Sequence, residues 1–311
     1  MNSNLNLRHM NGGSNIEEAG NGSGDKFKPG MEPVKEDYTK KEDYPSELLN
    51  FDVMPKHLQF NPFVFTGYRP QMDSWECIRS LTYFHNETLN ILTHGLPLLY
   101  AIWSLPGLLP WNEMPLPLLP YFHAAATVCP WLGSSIYHLF MNHYSGRGTY
   151  ARLLQWDVAG VWVTQSCGGF SSIYIGTMCL PWPLRFLLLL IYLSFALKAL
   201  HAAVFAVGPW ERRISFAAMF IMRLCILCVR YTPYGGGHPE ALYHVFMQDF
   251  WSLVGAVISA SLVPERWLPG KFDYAFNSHN IMHVLVVLGG LHMHWAIQKD
   301  FRWVAENQCP K

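Results

Sequence analysis

Charge is what this sequence has least of. Asp, Glu, Lys and Arg together make up 14% of its 311 residues, well below the roughly one quarter usual in soluble globular proteins. What charge there is cancels, 22 basic against 22 acidic residues, so no basic excess exists to attract a nucleic-acid backbone. The first thirty residues hold no apolar run of the kind that forms the core of a secretory leader, and no cleavable leader is expected. Cysteine is sparse and scattered, and only Cys225 and Cys228 stand at redox or metal spacing. They lie in a hydrophobic run without a second pair, which favours packing over ligation, and the cysteines as a group read as small hydrophobes.

Apolar surface is abundant, since half of the residues are hydrophobic. Residues 1–56 are the exception, carrying many Lys, Glu and Asp with Gly and Asn. Such a stretch buries too little apolar surface to offset its ordering entropy, so a disordered cytosolic tail is expected there. Apolar runs then recur at 89–109, 118–141, 153–176, 183–207, 214–230, 241–263 and 277–298, each near the length that carries a helix across a bilayer. The expected fold is an all-α membrane protein, a seven-transmembrane helix bundle over residues 89–298. A cytosolic juxtamembrane segment at 57–88 precedes it and a short extracellular or luminal tail at 299–311 follows. The fifth run is the weakest, because Arg223 interrupts it.

Basic residues in short loops set the orientation. Arg147 and Arg152, Arg212 and Arg213, and Arg266 and Lys271 fall on one side, with Lys56, Arg69 and Arg79 before the first helix. The first loop on the other side has none, and the next two have only the flanking Arg185 and Arg230. The amino terminus is therefore expected in the cytosol, although Lys299, Arg302 and Lys311 run against that sum. The glycosylation sequons at Asn21 and Asn86 would then face the cytosol and stay unmodified.

Ionisable groups inside membrane helices are costly and point to function. Glu87, Asn90 and His94 lie at the start of the first helix and Ser134 and His138 near the end of the second. Asp157 lies near the start of the third, and His279 and His283 near the start of the seventh. The alternating topology puts all of them in one leaflet. His279 and His283, four apart, share a helix face. Such a pair can bridge neighbouring helices by hydrogen bonds, but with His138 it makes a three-imidazole set suited to Zn2+ with an open position. An ion there would bring the pKa of a water to about 7. Asp157 would then support the metal ligands or act as base on that water, and Ser134 would steady a developing oxyanion. Glu87, Asn90 and His94 read as a structural hydrogen-bond network. His292 and His294 lie about two turns past the pair, His123, His201 and His244 have no clustered partner, and all five read as packing, helix-bridging or interfacial groups.

Glu87-x-x-Asn90-x-x-x-His94, Ser134-x-x-x-His138 with Asp157, and His279-x-x-x-His283 together resemble the signature motifs of the progestin and adipoQ receptor family. Further phrases resemble one branch of it: His57-Leu-Gln-Phe-Asn61, Thr66-Gly-Tyr-Arg-Pro70, Tyr137-His-Leu-Phe-Met141, Tyr150-Ala-Arg-Leu-Leu154 and Pro264-Glu-Arg-Trp267. The resemblance covers roughly residues 56–310 and implies seven helices with a cytosolic amino terminus. It implies zinc on His138, His279 and His283, with Asp157 beside the metal water and Ser134 at the motif serine. Family members are described as adiponectin or progestogen receptors, and the wider superfamily contains alkaline ceramidases. The branch is linked to Golgi membranes and sphingolipid metabolism, so the implied partners are membrane lipids of the ceramide or sphingolipid class. Two functions follow as expectations: a zinc-dependent intramembrane hydrolase of lipid amides, or a receptor or scaffold whose zinc only ties helices together.

Overall fold

A backbone in lipid must satisfy its own N–H and C=O groups, so apolar runs of this length fold as helices. The computed structural model, which describes residues 47–205, 208–306 and 309, is helical throughout its long elements. Among the described residues no strand forms, and two isolated bridges join Leu49 to Tyr68 and Met72 to His143. Most of the expected tail lies outside the described residues, as does Asn21. Its last part is packed instead of disordered: Leu49 exchanges backbone hydrogen bonds with Tyr68, and Met54 is buried.

The first helix, α1 (Ser74–Arg79), is short and set by a capping box. The Asp73 side chain accepts from the Glu76 N–H while Glu76 accepts from the Asp73 N–H, both at 2.8 Å. Then come α2 (Thr88–Leu108) and α3 (Leu118–Phe140), with Pro97, Pro106 and Pro130 inside them. Helix α4 (Arg147–Val163) runs through a π-turn at Thr164–Gly168 into α5 (Gly169–Gly176). Helix α6 spans Trp182–Phe205, and α7 (Pro209–Ser215) leads to α8 (Ala217–Arg230). The last two are α9 (Ala241–Ser261) and α10 (Ser278–Ala305). Among the described residues each expected run falls on helix apart from one or two residues at its ends and the break between α7 and α8. The third begins earlier than expected, at Arg147, and the last continues to Ala305.

Helices α2, α6, α9 and α10 are long and apolar enough to cross a membrane. Their outward faces carry Leu99, Trp103, Leu193, Leu197 and Val257, all exposed as side chains in contact with lipid would be. The chain is an all-α, multi-pass membrane protein. The weak fifth run is the 14-residue α8, and its arginines are paired. Arg223 meets Asp249 of α9 at 2.7 Å, and Arg230 meets Asp300 of α10 through two bonds of 2.8 and 2.7 Å. Both pairs are buried, which is how intramembrane charge is tolerated.

Two glycines bring α4 against α3. A Cβ on Gly133 would sit 2.7 Å from the Trp156 carbonyl oxygen, and one on Gly160 would sit 2.7 Å from that of Cys129. Backbones approach this closely only across small residues. The contact at Gly133 also lies 3.1 Å from the Asp157 Cα, which sets that residue beside the turn carrying Ser134.

The cysteines depart from expectation in two ways. Cys179, just past α5, is disulfide-bonded to Cys309, beyond α10. Cys225 and Cys228 are free, as expected, but they lie on the exposed face of α8 and not in a core.

Candidate metal centre

His138 sits in the last turn of α3, and His279 and His283 occupy the first two turns of α10. Asn277 starts α10 by accepting hydrogen bonds from the His279 and Asn280 N–H groups at 3.1 and 3.0 Å, a side-chain N-cap. The N-cap fixes where the first turn begins and hence the face that both histidines share. Antiparallel packing of α3 and α10 then brings the three rings together, with one ring nitrogen of each within 4.8 Å of the others. His138 Nε2 and His279 Nε2 are 3.3 Å apart.

The donor set fits a zinc ion. Zn–N bonds near 2.0–2.1 Å in tetrahedral geometry place neighbouring nitrogens about 3.3 Å apart. The far sides of two rings are already engaged. His138 Nδ1 lies 2.7 Å from Glu87 Oε2, and His283 Nδ1 lies 3.2 Å from Thr93 Oγ1. A proton on each Nδ1 leaves an Nε2 lone pair for a metal, with the partner fixing tautomer and ring orientation. His138 and His283 are each 2% exposed, and a bare cluster of buried imidazoles has little reason to form without something to bind.

Glu87 is the group whose role the sequence understates. It was expected in a network with Asn90 and His94, and part of that forms: Asn90 donates to Glu87 at 2.8 Å and Asn280 donates to Asn90 at 2.7 Å, while His94 pairs with Ser134 instead. Its carboxylate also holds one of the three clustered histidines, a contact across 51 positions that no local spacing signals. His94 stacks on His283 with ring centroids 3.9 Å apart, and its Nδ1 is 2.8 Å from Ser134 Oγ. Asp157 is close enough to His138 to interact electrostatically but, among the described residues, hydrogen-bonds none of the three histidines.

Of the remaining histidines, His123, His244, His292 and His294 bridge helices, and the expectation that His123 and His244 lack a clustered partner is corrected. His123 pairs with His294 at 3.0 Å, and His244 pairs with His292 at 2.9 Å. Both partners come from α10, far along the chain. His201 packs against Phe205. Asn86 is buried at 5% exposure, so its sequon cannot take a glycan in the folded chain.

Outside the helices, the segment before α2 closes over this end of the bundle. Arg69 is fully buried there and donates to the carbonyls of His138 and Leu139 at 2.6 and 3.0 Å, capping the end of α3 that carries His138. Burial, with the Arg69 cation nearby, pushes the neighbouring His85 down to about 3, so this histidine is neutral.

A family described as haemolysin-III related matches residues 82–295. Human progestin and adipoQ receptor family member 4 is 39% identical over 85% of this chain and 97% of its own length. The mouse protein of the same name is 38% identical over 85% of this chain and 96% of its own length. A more distant relative, the adiponectin receptor protein of Drosophila melanogaster, is 27% identical over 85% of this chain and 62% of its own length. The branch that the longer sequence phrases resemble is thus that of family member 4.

Proposed function

The chain belongs to the haemolysin-III-related, progestin and adipoQ receptor family, and from that premise we propose that it is a zinc-dependent intramembrane hydrolase of ceramide-like lipid amides. The observation that carries the proposal is the convergence of three metal-ready imidazoles with a carboxylate and a hydroxyl on the facing helices α3 and α4. Zinc bound there would supply an electrophile and an acidified water. Asp157 would take the proton of that water as its oxygen bonds to the amide carbonyl carbon, and would return the proton to the departing amine as the C–N bond breaks, leaving a carboxylic acid and a free amine. With its proton on Nδ1, His94 donates to Ser134 Oγ, which leaves the Ser134 O–H to donate to the carbonyl oxygen as negative charge builds there.

The site would sit in the cytosolic leaflet of a seven-span bundle with a cytosolic amino terminus. The basic loops support this orientation. So does the Cys179–Cys309 disulfide, at the opposite end of α5 and α10 from the histidines, since disulfides persist in oxidising compartments. Residence in Golgi membranes rests on the resemblance to the branch alone.

Purified protein should release sphingoid base from ceramide only when zinc is bound, and His279→Ala and Asp157→Ala should abolish the release. Unchanged release in either variant refutes the assignment. A receptor or scaffold with structural zinc is favoured instead by the chain of bonds from Asn280 through Asn90 and Glu87 to His138, which ties α10, α2 and α3 together. On that alternative, His138→Ala lowers the melting temperature and there is no turnover to lose.

A further inference from the structure

The segment before α2 is bonded to the structure around each ligand-bearing helix end. Arg69 holds the last carbonyls of α3. At the start of α10, Glu265, fully buried in the α9–α10 connection, accepts from the Ser278 N–H at 2.7 Å and from the Ser278 hydroxyl. Asn61 of the segment donates to the same carboxylate at 3.0 Å, across 204 positions. A second tie runs from the Thr66 N–H and hydroxyl to Asp273, at 2.9 and 2.7 Å. The segment is therefore latched to the residues immediately ahead of His279 by polar contacts, where an ordinary juxtamembrane linker would need none.

Next to Asn61 is a small cavity of about 20 Å³, part of it open to solvent and large enough for about one water molecule. Phe60, Asn61 and Val64 line it from the segment, and Glu87, Asn277 and His279 line it from the bundle. It is thus bounded both by the segment and by one imidazole of the cluster together with the carboxylate that supports another. Amide, carboxylate and imidazole groups offer hydrogen-bonding positions within a mainly apolar lining that includes Phe60 and Val64, so the cavity as it stands admits single waters and not an ion with its full water shell.

We propose that this cavity marks the closed path by which a divalent cation and exchanging water reach the three-histidine centre, and that the Asn61–Glu265 hydrogen bond is the latch that must open to widen it. The inference rests on the metal reading above and adds to it how the ion enters and why it stays.

Full-length protein in detergent, loaded with zinc and freed of excess, tests it. Zinc content is measured first, and then the rate at which a chromophoric chelator removes the ion. Asn61→Ala breaks the latch while Ser278 still satisfies Glu265, so the ion should leave about tenfold faster, as loss of a hydrogen bond to a charged group implies. Val64→Trp fills the cavity and should slow release; if that variant does not fold, Phe60→Trp fills it from the half-exposed side. Both variants should reload to the wild-type zinc content. Release at the wild-type rate in both, or faster release from the filled variant as well, overturns the path and leaves the centre standing. A wild type that takes up no zinc refutes the centre itself, and the path with it.

Discussion

Glu87 offers a direct measure of how far a neighbouring carboxylate tunes the centre. Its Oε2 lies 2.7 Å from His138 Nδ1 and 2.8 Å from Asn90 Nδ2, and the residue is 4% exposed. A buried, charge-assisted hydrogen bond is worth ~1.5–3 kcal/mol. Loss of a partner that orients a metal-ligating histidine costs about 10–100-fold in affinity, or ~1.4–2.8 kcal/mol. The two routes agree. Glu87→Gln keeps an oxygen that can accept from both partners and removes only the charge, so zinc affinity should fall about tenfold, the lower end of that range. Glu87→Ala frees the His138 ring and should fall by about a hundredfold, the upper end. Competition against a chromophoric chelator at neutral pH reads both, with bound zinc at saturation as the check that the site survives. Asn280→Ala, one hydrogen bond further from the ring, should give a smaller loss than either. Wild-type affinity in Glu87→Ala would show that the 2.7 Å contact is incidental and that the three imidazoles hold the ion unaided.

Breaking the buried Arg230–Asp300 pair by Asp300→Ala leaves an uncompensated cation between α8 and α10 and also strips the His238 N–H of its acceptor. The expected loss is ~3–5 kcal/mol, read as a lower melting temperature in detergent, while Asp300→Ala combined with Arg230→Met should recover part of it. Cys179→Ser or Cys309→Ser should abolish a mobility difference between reduced and non-reduced protein isolated from cells; a wild type already free of the disulfide would remove that support for the luminal face. Because His85 is pushed down to about 3 in the folded chain, the unfolded chain takes up a proton below about pH 6.5 that the folded chain refuses. Stability therefore declines as pH falls from about 6.5 toward 3, by ~1.4 kcal/mol at about pH 5.5, and His85→Asn should remove that part of the slope in melting temperature against pH.

The parts of the site that were legible from sequence are those carried by helical periodicity and by rarity. His279 and His283 share a face because they are four apart, and His138 joins them because antiparallel helices return to the same end. What stayed hidden depends on contacts between distant positions. Asp249 and Asp300 sit singly in or beside apolar runs, where a hydropathy window absorbs them, and only the fold shows that each answers an arginine on α8. Cys179 and Cys309 are 130 positions apart with no spacing to mark them. The pairs His123–His294 and His244–His292 were invisible for the same reason. The segment before α2 is polar enough to pass for a linker, yet Met54, Leu58, Val64 and Tyr68 pack on Tyr137 and Met141 at the end of α3. Its apolar residues are too few and too irregularly spaced to register as an element.

Whether a zinc ion at this centre does chemistry or only braces helices turns on its fourth coordination position. Structural zinc sites are closed by four protein ligands, whereas catalytic ones keep three and an open place. Among the described residues the donor cluster stops at three: His94 stacks on His283 with its Nδ1 turned to Ser134, Glu87 is committed to His138 and Asn90, and Asp157 lies outside the cluster. The cluster thus holds three donors and not four, which argues for an open position, with the buried and unpartnered Nε2 of His94 the nearest rival for it. Cobalt substitution makes that argument measurable, because the visible spectrum of the ion reports its ligands. Adding a hydroxamate should shift the spectrum of the cobalt-loaded protein, and Glu87→Gln should leave the shift in place while loosening the metal. A spectrum indifferent to hydroxamate, with four protein ligands in its pattern, would mean that the shell closes in solution. The bracing role would then be the correct one.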